Sequence, residues 1–474
     1  MNAILLLSFF GIANLFTAFA ENKKFILPLA MVALAAVFAL NALDWNGPAV
    51  AWMPGAEQYL GGMLRMDRFA VGFTGIVVLT TLLLLPFSAS YVRRLDANLS
   101  EYYSLLIFAL VGAIMLVGYE NLLILFLGIE ILSIPLYVLA GVEKKNPRSN
   151  EAALKYLLMG SFATGILLFG MALIYGATGS FTLTVIAEHA TNTSTPGAML
   201  LLGLLMVLVG LAFKVGAAPF HFWTPDVYEG SPTFFTAFMS TVVKTAGFAA
   251  FYKLLYAAFA TAYAAWLPTV LGITVLTLLV GNLGAVAQTS TKRMLAYSSI
   301  SHAGYLLMAL VAFDNARSPQ ALFFYSLSYS VATVAAFGVV KLVADSRDGR
   351  EDYGALRGLA RTNPLLAVAL AVSMLSLAGI PLTGGFFGKF FLFTAAADRG
   401  FMGLVVLAVL MAAVGIYYYF RPVIAAFMSG SPEEDGELAP IVVTSGETVM
   451  LWILTGLTIA LGIVPGVVSG LRLV

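Results

Sequence analysis

The chain has 474 residues, of which 61% are hydrophobic and only 10% are charged, and its formal net charge is +1. Soluble domains carry about 25% charged residues, so this composition excludes an aqueous globular fold. The sequence contains no cysteine, which excludes disulfides and cysteine-ligated iron–sulfur clusters. It also has no basic tract that would indicate a nucleic-acid partner.

Apolar runs between polar breaks predict fourteen membrane-spanning helices, and hence an all-α integral membrane protein. About 20 apolar residues cross the ~30 Å of hydrocarbon as a helix, and continuous runs differ from the alternating pattern of a barrel. The first run ends like a signal peptide but lacks a positive n-region, so we interpret it as a membrane helix. The predicted spans are residues 3–20, 25–42, 68–90, 102–118, 121–141, 151–177, 198–227, 231–254, 265–287, 292–313, 319–344, 364–396, 400–428 and 447–469.

Basic residues are distributed unequally between the two sides of the membrane when the loops are alternated. The richer side predicts the cytoplasm, because Lys and Arg concentrate in cytoplasmic loops, and both termini then lie outside. The richer side carries thirteen, namely Lys23, Lys24, Arg93, Arg94, Lys144, Lys145, Arg148, Lys292, Arg293, Arg347, Arg350, Arg357 and Arg361. The other side carries six, namely Arg65, Arg68, Lys253, Arg317, Arg399 and Arg472.

Two of the spans contain glycine and proline near their middle. The first contains Gly216 and Pro219, and the second contains Gly379, Pro381 and Gly384. Proline removes a backbone donor and clashes with the preceding turn, so both helices are expected to break inside the membrane. Broken helices at matching places in two halves of a chain indicate an ion site. The alternative is that both are ordinary proline kinks.

The breaks fall in spans seven and twelve, which are five helices apart. Because five is odd, the two five-helix blocks that contain them are expected to be inverted relative to each other. The predicted organisation is an N-terminal group of helices in residues 1–100, a first repeat in 101–254, a second repeat in 265–428 and a C-terminal helix in 447–474.

Charged side chains occur near the middle of several spans, where an ion costs about 2.5–3.5 kcal/mol. They are Glu130, Lys214, Lys244 and Lys389, and His302 is also placed in mid-span. A lysine beside a carboxylate stays charged, and burial favours release of its proton once the carboxylate moves away. The pattern therefore predicts a proton relay. Two alternatives remain, a static Glu130–lysine pair that fixes helix packing and a His302 imidazole satisfied by neighbouring serines.

Other polar residues near the membrane have more than one interpretation. Lys253 and Lys341 are expected to extend their long side chains to the interface. Lys155 lies one turn inside its span and fits either that interpretation or the relay. His221 follows the first break and either bonds freed carbonyls or transfers protons. The abundant tyrosines and phenylalanines are interpreted as lipid-facing and interfacial anchors.

Three segments are similar to a known family. They are Leu211-Ala-Phe-Lys-Val-Gly-Ala-Ala-Pro-Phe-His-Phe-Trp-Thr-Pro-Asp226, Val227-Tyr-Glu-Gly-Ser-Pro232 and Lys292-Arg-Met-Leu-Ala-Tyr-Ser-Ser-Ile-Ser-His-Ala-Gly-Tyr305. They resemble the antiporter-like membrane subunits of respiratory complex I, and most of all the N-type subunits of proton-translocating NADH:quinone oxidoreductase. The likeness covers about residues 100–425, and the chain lacks the long lateral helix of the L-type subunits.

The resemblance implies roles for six residues. Glu130 matches the family's glutamate on the fifth helix, and Lys214 matches the lysine on the broken seventh helix with which that glutamate pairs. Lys155 matches a lysine on the sixth helix, and Lys244 matches the central lysine on the eighth. His302 matches a histidine position on the tenth helix, and Lys389 matches the terminal lysine on the twelfth.

The function expected from the resemblance is proton translocation in the membrane arm of a bacterial NADH:quinone oxidoreductase, in the inner membrane. Quinone reduction elsewhere would move Glu130 relative to Lys214, and a proton would pass through Lys244 and His302 to Lys389. The chain itself is expected to hold no redox centre, with NADH, FMN, iron–sulfur clusters and quinone in partner subunits. The alternatives are a subunit of a multisubunit cation/proton antiporter or membrane-bound hydrogenase, and a structural membrane scaffold.

Overall fold

The computed structural model describes residues 1–20, 23–46, 61–89, 99–192, 197–313, 315–428, 439–471 and 473. These ranges are helical, and the only β-structure within them is three isolated bridges. In the first half, α1 is Asn2–Phe16, α2 Ile26–Leu43, α3 Arg68–Leu84, α4 Leu99–Gly118, α5 Leu122–Ala140, α6 Pro147–Thr178, α7 Leu183–Asn192, α8 Ala198–Val215 and α9 Trp223–Gly230. In the second half, α10 is Thr233–Ala258, α11 Tyr263–Val286, α12 Thr291–Val311, α13 Ser318–Ser346, α14 Pro364–Ala378, α15 Gly384–Asp398, α16 Met402–Phe427 and α17 Ser445–Ile463.

The number of membrane crossings agrees with the sequence prediction. Thirteen helices within the described ranges are long and apolar enough to span a bilayer. The shorter helices α14 and α15 follow each other and together form a further, broken span. The all-helical membrane fold with fourteen crossings is therefore confirmed.

Both predicted helix breaks are present. Helix α8 ends at Val215 and is capped by Gly216, whose φ is +70°, and α9 begins only at Trp223. Helix α14 ends at Ala378 and is capped by Gly379, whose φ is +86°, and α15 begins at Gly384. Glycine adopts a positive φ without steric cost, which is why it closes a helix in this way. These are interruptions of several residues rather than proline kinks.

Two sets of connections identify the two faces of the molecule. Residues 143–148, 229–234 and 344–351 supply side chains to one cavity, so these connections share a face, which we call the basic face. On the opposite face, bridges join Leu64 to Tyr119 and Asn121 to Thr182. The α8–α9 pair runs towards the basic face and the α14–α15 pair runs away from it, so the two broken helices are inverted as predicted.

Three of the basic residues that were counted in the sequence analysis, Arg93, Arg94 and Arg472, lie outside the described residues.

The helices differ in how much of their surface faces other helices. Helices α10, α12 and α13 are almost wholly buried, whereas α1, α2, α6 and α16 expose apolar side chains to the surroundings. Small residues allow close helix contacts in membranes. At Gly281 of α11, for example, a Cβ would clash with the Ser301 backbone of α12. The mid-membrane polar residues on α10, α12 and α13 are therefore enclosed by protein rather than lipid.

Candidate functional site

Lys244 lies at the centre of the buried helices. A π-helical turn, Met239–Val243, interrupts α10 immediately before it, and such turns occur frequently at functional sites. Its Nζ donates a hydrogen bond to the Ser299 carbonyl of α12, and its side chain is buried. The Ser299 hydroxyl in turn accepts a hydrogen bond from the Tyr329 hydroxyl of α13 at 3.1 Å. The amine is thus held among neutral oxygen atoms in the protein interior.

Lys214 lies in the last turn of α8, directly before the first break. Its buried Nζ donates to Ser133 Oγ of α5 at 2.7 Å. Glu130, one turn earlier on α5, acts on this ammonium electrostatically, while Ser133 is its direct contact. The structure therefore brings Glu130 and Lys214 into the same neighbourhood with a serine as the contacting residue, which is looser than a closed ion pair.

Lys389 on α15 is buried at the second break. Its Nζ donates to the carbonyls of Leu377 at 2.9 Å and Ala378 at 2.8 Å, which are the last residues of α14. The carbonyls at a helix C-terminus lack partners in the helix and carry partial negative charge, so an ammonium there is stabilised. The same ammonium lies 4.8 Å from the centre of the Tyr305 ring, within the range of a cation–π contact.

His302 on α12 has a hydrogen-bond partner at each ring nitrogen. Nδ1 is 2.5 Å from the Tyr325 hydroxyl of α13, and Nε2 is 2.9 Å from the Tyr419 hydroxyl of α16. The Tyr419 hydroxyl is also 2.5 Å from Ser298 Oγ. A neutral imidazole needs one donor and one acceptor, and a hydroxyl can be either. The partners are therefore tyrosines of other helices, and not the neighbouring serines of the alternative interpretation.

Aromatic side chains connect these groups into one buried cluster. The His302 ring centre is 4.6 Å from that of Tyr329, which contacts Ser299 beside Lys244. On the other side of His302, the ring centres of Tyr325 and Tyr305 are 6.4 Å apart, and the Lys389 ammonium lies over the Tyr305 ring. The structure thus brings the predicted residues Lys244, His302 and Lys389 together.

The sequence interpretation missed the tyrosines of this cluster. We assigned the tyrosines as a class to lipid-facing and interfacial anchoring, and this is wrong for the buried members Tyr305, Tyr325, Tyr329, Tyr418 and Tyr419. A signal was present, because Tyr325 and Tyr329 are four residues apart on α13 and therefore share a face with each other. Interfacial anchors lie near helix ends, whereas these two lie well inside a long helix.

Lys155 and His221 lie outside this cluster. The Lys155 side chain is 39% exposed and pairs with Glu151 and Asp226, both at 2.7 Å. His221 is buried at the first break, with its ring centre 4.6 Å from that of Phe222. The structure does not join either residue to Lys244 through the contacts described above.

Lys341 and Lys253, the two lysines expected to extend towards the membrane surface, each form an ion pair with a carboxylate. Lys341 is 2.7 Å from Asp345, one turn nearer the end of α13, and Lys253 is 2.9 Å from Glu120 on the opposite face. Both lysine side chains are buried along most of their length.

Over the described residues, no group of three or more His, Asp or Glu is arranged to hold a metal ion.

Residues 120–415 match the family model described as NADH:quinone oxidoreductase/Mrp antiporter, transmembrane. The chain belongs to this family. It is 40% identical over 470 residues to NADH-quinone oxidoreductase subunit N of Cytophaga hutchinsonii, with 98% of each chain covered. It is 43% identical over 414 residues to subunit N of Chloroflexus aggregans, with 87% of this chain and 84% of the relative covered.

Solved structures of the family have the same fold. A chain of respiratory complex I from Thermus thermophilus matches with a TM-score of 0.82 and 36% identity, with 99% of both chains covered. A chain of the Mrp complex from Dietzia sp. matches with a TM-score of 0.83 at 22% identity, with 100% of this chain and 97% of the other covered. The second likeness concerns the fold alone. The resemblance inferred from the three sequence segments is confirmed.

Proposed function

We propose that this chain is an N-type subunit in the membrane arm of a bacterial NADH–quinone oxidoreductase and that it translocates protons. The observation that carries the proposal is the buried cluster of Lys244, His302 and Lys389, whose members are linked by tyrosines and a serine. Several ionisable groups placed together in a membrane interior are costly, and such groups occur on ion pathways. The identities of about 40% with N-type subunits favour this assignment over a cation/proton antiporter subunit.

In this proposal the chain contributes only proton chemistry. NADH, FMN, the iron–sulfur clusters and quinone are bound by partner subunits, and the other membrane-arm subunits and the lipid surround this one. The basic face lies in the cytoplasm, since most Lys and Arg residues of the loops are on it. The two inverted repeats cover residues 101–254 and 265–428, and each contains one broken helix.

The proposed cycle begins at Glu130 and Lys214. When Glu130 approaches, Lys214 holds a proton, and when Glu130 withdraws, the proton leaves towards Lys244. From Lys244 it passes to His302 and then to Lys389 at the second break. An ion pair at ~4 Å with an effective dielectric of ~20 gains about 4 kcal/mol. Moving one proton against 100 mV costs about 2.3 kcal/mol, so the pair is strong enough to drive the step.

The experiment is a double-mutant cycle in the assembled complex, reconstituted in proteoliposomes. Glu130→Gln, Lys214→Met and the double variant are compared by NADH-driven proton uptake, with subunit content checked on native gels. If Glu130 acts through Lys214, the double variant is no worse than Lys214→Met alone. Unchanged proton uptake in all three assembled variants would refute the proposal, and so would defects that simply add.

The scaffold alternative makes a different prediction for the same experiment. A purely structural subunit would lose assembly when its buried charges are removed, but every assembled complex would pump normally. Because assembly and proton uptake are measured on the same samples, the two functions are distinguished directly.

A further inference from the structure

A polar cavity opens on the basic face beside the first turn of α10. Its volume is about 190 Å³, which is large enough for several water molecules. Charged side chains of both signs line it, among them Glu143, Arg148, Lys292 and Glu351. None of these four residues belongs to the cluster of Lys244, His302 and Lys389.

The inner wall of this cavity is a compact set of hydrogen bonds. Lys292 Nζ donates to Glu351 Oε1 at 3.0 Å and to the Ser231 carbonyl at 2.8 Å. Thr233 Oγ1, from the first residue of α10, donates to the same Glu351 oxygen at 3.0 Å. Lys292 and Thr233 are buried, whereas the Glu351 side chain is 19% exposed. Glu351 therefore connects the cavity to the first hydroxyl of the central helix.

The loop that carries Glu351 is fixed to the start of α12. Thr291 N donates to the Glu351 carbonyl at 2.8 Å, and Ser290 forms a β-bridge with Asp352. The carboxylate is thus presented to the cavity by a defined backbone rather than by a free loop tip.

From this wall a row of hydroxyls follows α10 towards Lys244. Thr233, Thr236, Ser240 and Lys244 are separated by three, four and four residues, which places the first three along one side of the helix, and the π-helical turn Met239–Val243 leads from Ser240 to Lys244. Eleven residues of helix rise by about 16 Å, so one hydroxyl occurs at each turn between the cavity and the buried amine. All four side chains are buried.

The lower end of this row meets the cluster already described. Tyr329, whose hydroxyl donates to Ser299 Oγ at 3.1 Å, also has Ser240 as a side-chain neighbour. Ser299 supplies the carbonyl that accepts the hydrogen bond of Lys244. Hydroxyls in a buried helix are commonly satisfied by backbone carbonyls, as Thr236 is by Tyr228 O of α9 and by Pro232 O just before its own helix. Because this row of hydroxyls begins at a carboxylate in a polar cavity and ends at a buried amine, it is placed to conduct protons between the two groups.

We propose that this cavity is the mouth through which Lys244 receives protons, with Glu351 as the first acceptor and Lys292 as the gate. A hydronium ion in the cavity gives its proton to the Glu351 carboxylate and becomes water. The proton then passes by exchange of O–H protons along Thr233, Thr236 and Ser240 to the neutral Lys244 amine, so only O–H and N–H bonds are exchanged. While Lys292 holds Glu351, its ammonium occupies the same carboxylate oxygen, Oε1, that accepts the hydrogen bond of Thr233. Because Lys292 also contacts the Ser231 carbonyl, a small rotation releases Glu351 without leaving the ammonium unpaired.

The inference rests on the proposed function, and a reversible block tests it separately. The chain has no native cysteine, so Thr233→Cys introduces a single thiol into it. Complexes in vesicles with the cytoplasmic face outward are treated with a membrane-impermeant cationic methanethiosulfonate, and modification is followed by the mass of this subunit. We expect modification to lower NADH-driven proton uptake at least about tenfold, a barrier increase of about 1.4 kcal/mol, and a reducing agent to restore it.

The control is Asp352→Cys, one residue from Glu351 on the same loop, where the side chain pairs with Arg350 at 3.1 Å. It is expected to react without changing proton uptake. A Thr233→Cys subunit that is modified yet pumps normally overturns the inference, as does a thiol that reacts only from the other side of the membrane.

A second pair of variants covers the case in which Thr233→Cys does not assemble. Glu351→Gln retains the shape of the side chain and one hydrogen-bond-accepting oxygen but removes its ability to take up a proton, and it is expected to lower proton uptake at least about tenfold. Asp352→Asn is its matched control. Lys244→Met is measured alongside. If Lys244→Met abolishes proton uptake while Glu351→Gln retains it, only the assignment of this cavity as the proton entrance is refuted. If Lys244→Met takes up protons normally, the proposed function is refuted as well.

Discussion

The tyrosine hydroxyl at His302 offers a sharp test of the relay. In Tyr419→Phe the ring is kept and only the hydroxyl is lost, which removes the 2.9 Å contact to His302 Nε2 and the 2.5 Å contact to Ser298 Oγ. A buried polar atom left without its partner costs about 1–3 kcal/mol. If that cost raises the barrier for transfer through His302, the step slows by about 5- to 150-fold.

The assay compares three rates in the same reconstituted complex, namely NADH-driven proton uptake, NADH:quinone turnover and NADH oxidation by an artificial acceptor. Proton uptake and quinone turnover are expected to fall together, whereas the acceptor reaction is unchanged because it bypasses the membrane arm. The matched control is Tyr417→Phe, on the same helix but 61% exposed. Wild-type proton uptake in an assembled Tyr419→Phe complex would refute the assignment of His302 to the pathway.

Three further outcomes follow from the contacts. Lys389→Met removes two charge-assisted hydrogen bonds of about 1.5–3 kcal/mol each from the end of α14. Both proton uptake and the thermal midpoint of the complex should therefore fall, and a variant that retains both would contradict this prediction. Lys155→Gln should leave pumping within about twofold of wild type, since an exposed ion pair contributes only about 0–1 kcal/mol, and a large loss would restore Lys155 to the pathway. Thr277→Val leaves the Ala218 N–H at the first break without its 2.9 Å partner and should lower the thermal midpoint. Thr274→Val, whose hydroxyl bonds its own helix, should not, and equal shifts in the two would refute this role.

Much of the fold could be predicted from the sequence because the bilayer restricts the possible structures. Backbone groups in lipid must be paired internally, so each long apolar run had to be a helix. The breaks at Gly216 and Gly379 were also predictable, because each combines a glycine with a proline a few residues later. Helix ends were less predictable. Residues 364–396 were predicted as one broken span, but only the structure shows that its first half ends at Ala378 and its second half begins at Gly384, with five residues between them.

The site was only partly predictable. A charge in mid-span is conspicuous in a sequence, so Lys214, Lys244 and Lys389 could be selected without coordinates. Their partners could not, because Ser133, Ser299 and the tyrosines are distant in sequence and are brought close only by helix packing. Lys155 could not be assigned from the sequence alone. Its position one turn inside a span fitted both an interfacial lysine and a relay member, and the structure shows a partly exposed side chain paired with Asp226 of another helix.

The direct test of the central claim is the rate of NADH-driven proton uptake in assembled complexes carrying Lys244→Met, with Lys253→Met as the control. Both lysines are buried on α10, but Lys253 contacts Glu120 on the opposite face, outside the cluster. We expect the Lys244 variant to assemble and lose most of its proton translocation, and the Lys253 variant to retain it. An assembled Lys244→Met complex that takes up protons at the wild-type rate would contradict the account.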